Sequence, residues 1–120
     1  MKTFKMFITA SVLFLGMSIA NAQSATPEVR ANAYTVALTT VLSLTADQVV
    51  KMEEINLGIA MKNDGIRSST NFSEEQKSDI LISNNAARLE RYGWFLSPTQ
   101  MQALQVYEAE MAANGESNNL

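Results

Sequence analysis

The chain has no cysteine and no histidine. Without cysteine, no disulfide can staple the fold and no thiol can act as a nucleophile. Without histidine, the commonest general base near neutral pH is gone. The usual nucleophile–base pairs are therefore excluded, as are the common zinc and copper ligand sets. No glycine-rich phosphate loop, calcium loop or dinucleotide fingerprint occurs. Basic clusters are also missing: 9 Lys and Arg face 12 Asp and Glu, a formal charge of −3. That balance argues against nucleic acid and against anionic membrane surfaces as partners. The carboxylate pairs Glu53-Glu54, Glu74-Glu75 and Glu108/Glu110 remain. Glu74 and Glu75 fall in the first turn of an expected helix, where they complement its dipole. Glu53 and Glu54 read as a solvated helix face. An enzyme is the least supported class, and no cofactor or metal is expected.

What is present begins with a targeting segment. Lys2 and Lys5 precede an apolar run from Met6 to Ile19, and Ala20-Asn21-Ala22 follows as a small-x-small cleavage site. Residues 1–22 read as a secretory signal peptide. The run is short for a membrane span, which needs about 20 apolar residues. The expected location is periplasmic or secreted, with no stable membrane insertion after cleavage. Setting aside Lys2 and Lys5 takes the formal charge from −3 to about −5 for the remainder. Residues 23–115 read as one small helical domain, near the size where a single core is marginal and oligomerisation helps. Residues 116–120 read as a disordered tail.

Four helices are predicted and no strand. Thr26-Pro27-Glu28 gives an N-cap, a first-turn proline and an early acid. The first helix should run from Pro27 to about Leu42, with Tyr34, Ala37, Leu38 and Val41 on its apolar stripe. The second should run from Ala46 to about Arg67, with a seam of Met52, Ile55, Ile59 and Ile66 at 3–4 spacing. Gly65 is an alternative stop for it. The third starts after Ser73 and carries Ile82, Ala86, Leu89 and Tyr92, with Asp79, Asn84, Asn85, Arg88 and Arg91 on its polar side. Gly93 should end or bend it. The fourth places Met101, Leu104, Tyr107 and Met111 on one face. The short loop between the second and third helices predicts an antiparallel hairpin.

A pentapeptide and its echo set the two tight corners. Leu44-Thr45-Ala46-Asp47-Gln48 and Leu96-Ser97-Pro98-Thr99-Gln100 both read Leu-[Thr/Ser]-x-x-Gln. Thr45 and Ser97 stand at N-cap positions, and Gln48 and Gln100 at N3, which makes a capping box in each. Leu44 faces Val49 and Leu96 faces Met101 as hydrophobic staples. Ser73-Glu74-Glu75-Gln76 has the box without the staple. Corners of this kind at both ends of a long hairpin predict a bent, hooked arrangement.

Two Leu-Thr-x-x-Gln-type motifs in a small helical chain behind a signal peptide resemble the Spy/CpxP family. Leu44, Thr45 and Gln48 match the motif fully; Leu96 and Gln100 match, with Ser97 in place of threonine. The resemblance spans roughly Leu42 to Met111. It implies an all-α fold, a bent antiparallel helical hairpin with short flanking helices, dimerised into a shallow cradle. It also implies an ATP-independent chaperone or envelope-stress protein of the periplasm. Some relatives bind metal largely through histidine, a role that does not transfer to a chain without it. A client-attracting cradle is expected to be basic, and this chain is acidic. The candidate client or partner surface comprises Val50, Leu57, Met61, Trp94 and Phe95, each of which has core filling as its alternative. The expected partners are unfolded proteins and a second copy of the chain. The alternative is a small secreted helical protein of the same fold with one dedicated partner.

Overall fold

Each of the four capped stretches becomes a helix. The computed structural model describes residues 25–120, so the expected signal peptide at 1–22 lies outside the described residues. The helices are α1 (Pro27–Leu42), α2 (Ala46–Ser68), α3 (Glu74–Tyr92) and α4 (Pro98–Ala113), and no strand occurs among the described residues. The Thr26 hydroxyl accepts from Val29 N–H, with Pro27 in the first turn of α1. Thr45, Ser73 and Ser97 each complete a full capping box with Gln48, Gln76 and Gln100. α1 ends at Ser43, whose left-handed backbone (φ 53°) turns the chain straight into the next cap. α2 runs through Gly65 to Ser68 and does not stop at the Asn63-Asp64-Gly65 signal.

α2 lies between α1 and α3, and α4 folds back onto α1. The return of α4 makes the bundle more closed than a hooked hairpin alone. Its extents are 47 × 30 × 22 Å. The core is apolar where the stripes of α1 and α4 meet: Tyr34, Leu38, Val41, Leu104, Tyr107 and Met111 are all buried. Burial of this kind supplies the main drive to fold, about 25 cal/mol per Å² of apolar surface.

Three expectations need correction. The seam of α2 is rotated: Met52 and Ile59 are buried, but Asn56, Ala60 and Asn63 complete the buried line, while Ile55 and Ile66 are only half-buried. α2 is flanked by two helices, and its asparagines find partners on both. The stripe of α3 is also rotated. Ile82 is 65% exposed and Ala86 is exposed, whereas Arg88, assigned to the polar side, is 1% exposed beside the expected Tyr92. Residues 116–120, expected to be disordered, lie against the bundle with Leu120 buried. Gly93 ends α3, but with right-handed backbone (φ −62°); an added Cβ there would stand 3.2 Å from the Glu90 carbonyl oxygen.

Candidate functional site

Buried polar side chains from all four helices meet around Arg88, in two hydrogen-bonded chains that its guanidinium joins by lying over the Tyr92 ring. The Arg88 guanidinium on α3 donates to both carboxylate oxygens of Glu108 on α4, at 2.8 and 3.0 Å. It also donates to Asn85 Oδ1 through Nε and Nη2. Its plane lies over two aromatic rings, 5.8 Å from the Tyr34 centroid and 5.1 Å from the Tyr92 centroid. The Tyr34 hydroxyl on α1 donates to Glu108. The Tyr92 hydroxyl donates to Asn56 Oδ1 on α2, and Asn56 Nδ2 donates to Thr35 Oγ1 on α1 at 2.9 Å. Every helix therefore contributes a side chain. The arrangement fixes helix rotation and engages both carboxylate oxygens of Glu108.

Burial sets the protonation of this core. It pushes the Tyr34 hydroxyl well above its ordinary value, with the Glu108 charge adding to it. It pushes Tyr92 up to about 12 against the opposing pull of Arg88. Tyr107 is raised as well, first by burial and then by Glu116. For Arg88, burial works against the charge, but the hydrogen bond to Glu108 and the neighbouring tyrosines hold it more firmly protonated than a free guanidinium.

The two pentapeptides meet in space. Gln48 Oε1 accepts from the Thr45 N–H at 3.0 Å and Gln100 Oε1 from the Ser97 N–H at 2.9 Å. The same amides then pair with each other: Gln48 Nε2 donates to Gln100 Oε1 at 2.9 Å, and Gln100 Nε2 to Gln48 Oε1 at 3.0 Å. Their remaining N–H groups reach across to carbonyls of the opposite corner, Gln48 to Phe95 and Gln100 to Leu42. Both donors and both acceptor positions of each amide are thereby used. Glutamine at N3 serves its own cap and bolts the two corners together. Leu96 is buried there, and Leu44 and Met101 pack against the core.

Next to this clasp lies an open groove. Ile55 and Gly58 on α2 face Phe95 and Trp94 at the α3–α4 corner, with Lys51, Glu54 and Arg91 around it. Trp94 is 74% exposed. Phe95 is half-buried, edge-on to Tyr92 with centroids 6.4 Å apart, and Lys51 Nζ stands 6.0 Å from its ring centroid. A Cβ at Gly58 would meet nothing within 4 Å, so that side of the groove is open.

The candidate surface residues thus divide. Trp94 and Phe95 come together in the groove. Val50, Leu57 and Met61 recur at helical spacing along another flank of α2, roughly a third of a turn from Ile55 and Gly58. Val50 is 67% and Met61 53% exposed, while Leu57 is partly buried against the core. Of the network residues, the sequence singles out Glu108 alone, in the carboxylate pair with Glu110; Arg88, Tyr34 and Asn56 are not site candidates there. Their one signal is register: Arg88 stands four residues before Tyr92, and Asn56 lies between Met52 and Ile59, each on a buried line.

Among the described residues, no group of three or more carboxylates gathers to hold a metal, and no helix is long and apolar enough to cross a membrane. No family model, curated protein or solved structure matches the chain.

Proposed function

We propose that this protein is a periplasmic, ATP-independent and cofactor-free holdase or envelope-stress protein of the Spy/CpxP type, working as a homodimer. The observation that carries the reading is Trp94, the single tryptophan, standing largely exposed over an open groove with a partly apolar lining. A large aromatic left in water beside such a groove supplies contact area that solubility alone would select against. Val50 and Met61 add exposed apolar surface on the adjoining flank of α2. Paired amide motifs at both corners support the family reading independently of that surface. With a net charge of about −5 for the chain after Ala22, capture rests on apolar contact, and moderate salt leaves it intact.

A second reading has its own support. Val50 and Met61 lie on a different flank of α2 from the groove beside Trp94, and one groove with defined walls fits a dedicated protein partner. The experiment is suppression of aggregation of several unrelated unfolded clients, at low and at physiological salt, with Trp94 emission read in parallel. Suppression at both salts, with a blue shift of Trp94, is expected. Trp94→Ala should weaken suppression several-fold while leaving thermal stability within about 0.5 kcal/mol, as exposed substitutions usually do. No suppression of any client turns the assignment to the dedicated-partner reading. Suppression that disappears with salt rejects the apolar mechanism.

A further inference from the structure

The last five residues behave as a ligand bound to the rest of the chain. Arg30, in the first turn of α1 and 8% exposed, donates through Nε to the Asn119 carbonyl at 2.8 Å. Arg67, in the last turn of α2, donates to a Leu120 oxygen at 2.9 Å. The Leu120 side chain is 2% exposed and joins the apolar core. Asp64 bridges the two arginines, at 2.5 Å from Arg30 and 3.4 Å from Arg67. The segment also shapes itself. Ser117 Oγ accepts from the Asn119 N–H, Asn118 Oδ1 accepts from the Leu120 N–H, and Asn119 takes left-handed backbone (φ 63°).

This strap is held at one end and opposed at the other. At its base, Glu116 Oε1 and the Tyr107 hydroxyl are both buried, and neither has a hydrogen-bond partner among the described residues. Orphaned buried polar atoms weaken the seat that contains them. Gly115, with φ 73°, supplies a joint between α4 and the strap.

We propose that the notch between the start of α1 and the end of α2 is a peptide-binding socket, occupied in cis by residues 116–120. Its ligand class is an extended segment with one aliphatic side chain and two adjacent backbone oxygens, neutral or acidic. Arg30 and Arg67 read the oxygens, the core takes the aliphatic group, and the two arginines against Asp64 leave the socket net positive. The socket is separate from the Trp94 groove and stands whether or not that groove binds clients. A tethered strap competes at an effective concentration on the order of millimolar, so a free ligand enters only when the strap is weakened.

The probe is a synthetic peptide of the sequence Glu116 to Leu120, added at millimolar concentration and followed by backbone amide shifts. In the full chain carrying Leu120→Ala, saturable shifts are expected over residues 27–34 and 60–67. The wild-type chain should respond at least tenfold more weakly. A peptide with aspartate in place of its leucine should not bind. Absence of shifts in a folded Leu120→Ala chain overturns the proposal, as does equal binding by the aspartate peptide. Shifts confined to the residues around Trp94 overturn it too. Arg67→Gln, at a half-exposed position, covers the case in which Leu120→Ala does not fold. Hydrogen exchange at the Asn119 and Leu120 amides should quicken at least tenfold with the helix cores unchanged, and unchanged exchange overturns the socket.

Discussion

At the scale of single residues, Arg88 and Glu108 decide the most. Arg88 is the largest fully buried side chain among the described residues, and its charge is answered by a two-pronged bond to Glu108, whose side chain is 22% exposed. A buried pair of this kind adds little net stability over apolar residues of similar size, yet breaking it from one side strands a charge. Glu108→Ala should therefore destabilise the fold by about 3–5 kcal/mol in denaturant unfolding. It also takes away the acceptor of the Tyr34 hydroxyl. Replacing both partners, Arg88→Met with Glu108→Leu, should cost less than Glu108→Ala alone. A single substitution that costs under about 1 kcal/mol would demote the pair to a surface-like bridge. The tyrosines depend on the same burial. All three in the chain, Tyr34, Tyr92 and Tyr107, are at most 1% exposed.

At the scale of elements, the corners join what the helices cannot. The glutamine pair ties the start of α2 to the start of α4, and each amide has four uses. Gln48→Ala and Gln100→Ala should each lower stability by about 1–3 kcal/mol, as lost partners in a part-buried site do. Because the amides bond each other, the two effects should not add, and a double-mutant cycle should return a coupling of about 0.5–3 kcal/mol. Thr45→Ala and Ser97→Ala, which touch only the caps, should cost about 1 kcal/mol each. Additive glutamine effects would reduce the clasp to two unrelated caps. The capping boxes were legible in the sequence because a cap is decided within four residues. Their meeting was not, because it joins residues 52 positions apart. The rotation of α2 and α3 was hidden for the same reason. Asn56 looks polar until Tyr92 is seen 36 positions away, and Arg88 looks solvated until Glu108 closes on it. Trp94 and Phe95 stood out as aromatics, but the Ile55–Gly58 side of their groove comes from another helix. The docking of Leu120 was masked by Ser117, Asn118 and Asn119: the first two side chains accept from N–H groups of their own segment, and Asn119 Oδ1 accepts from the Ser117 hydroxyl.

At the scale of the whole molecule, two properties emerge that no single helix has. The first is alkaline lability. In the unfolded chain the tyrosines titrate near 10, while the fold holds Tyr92 up to about 12 and the other two above their ordinary value. The fold thus favours the neutral hydroxyls, and that stability is complete below pH 10 and lost as pH rises through about 12. Phenolate absorbance and helical circular dichroism should change together in that window; tyrosines ionising near pH 10 in a helical protein would contradict their burial. The second is the partition of charge. On α1 the charged residues are Glu28 and Arg30, and Arg30 is buried; on α4 they are Glu108 and Glu110. α1 and α4 pack together, and they leave Val29 (58%), Val36 (49%) and Val106 (43%) exposed. Most other charges lie on α2 and α3. A face with few charged side chains and exposed valines offers a second copy apolar surface to cover with few charges to desolvate. The proposed homodimer should therefore form across α1 and α4 and leave the Trp94 groove open. Sedimentation at micromolar concentration should show a dimer. Val36→Glu should shift it to monomer, raising the dissociation constant tenfold or more, because the symmetric contact brings two new carboxylates together. The helical content of the monomer should stay intact, since Val36 is half in water already. A wild-type chain that sediments as a monomer throughout that range removes the shared cradle and leaves a single-groove protein, and a dimer indifferent to Val36→Glu moves the contact to another face.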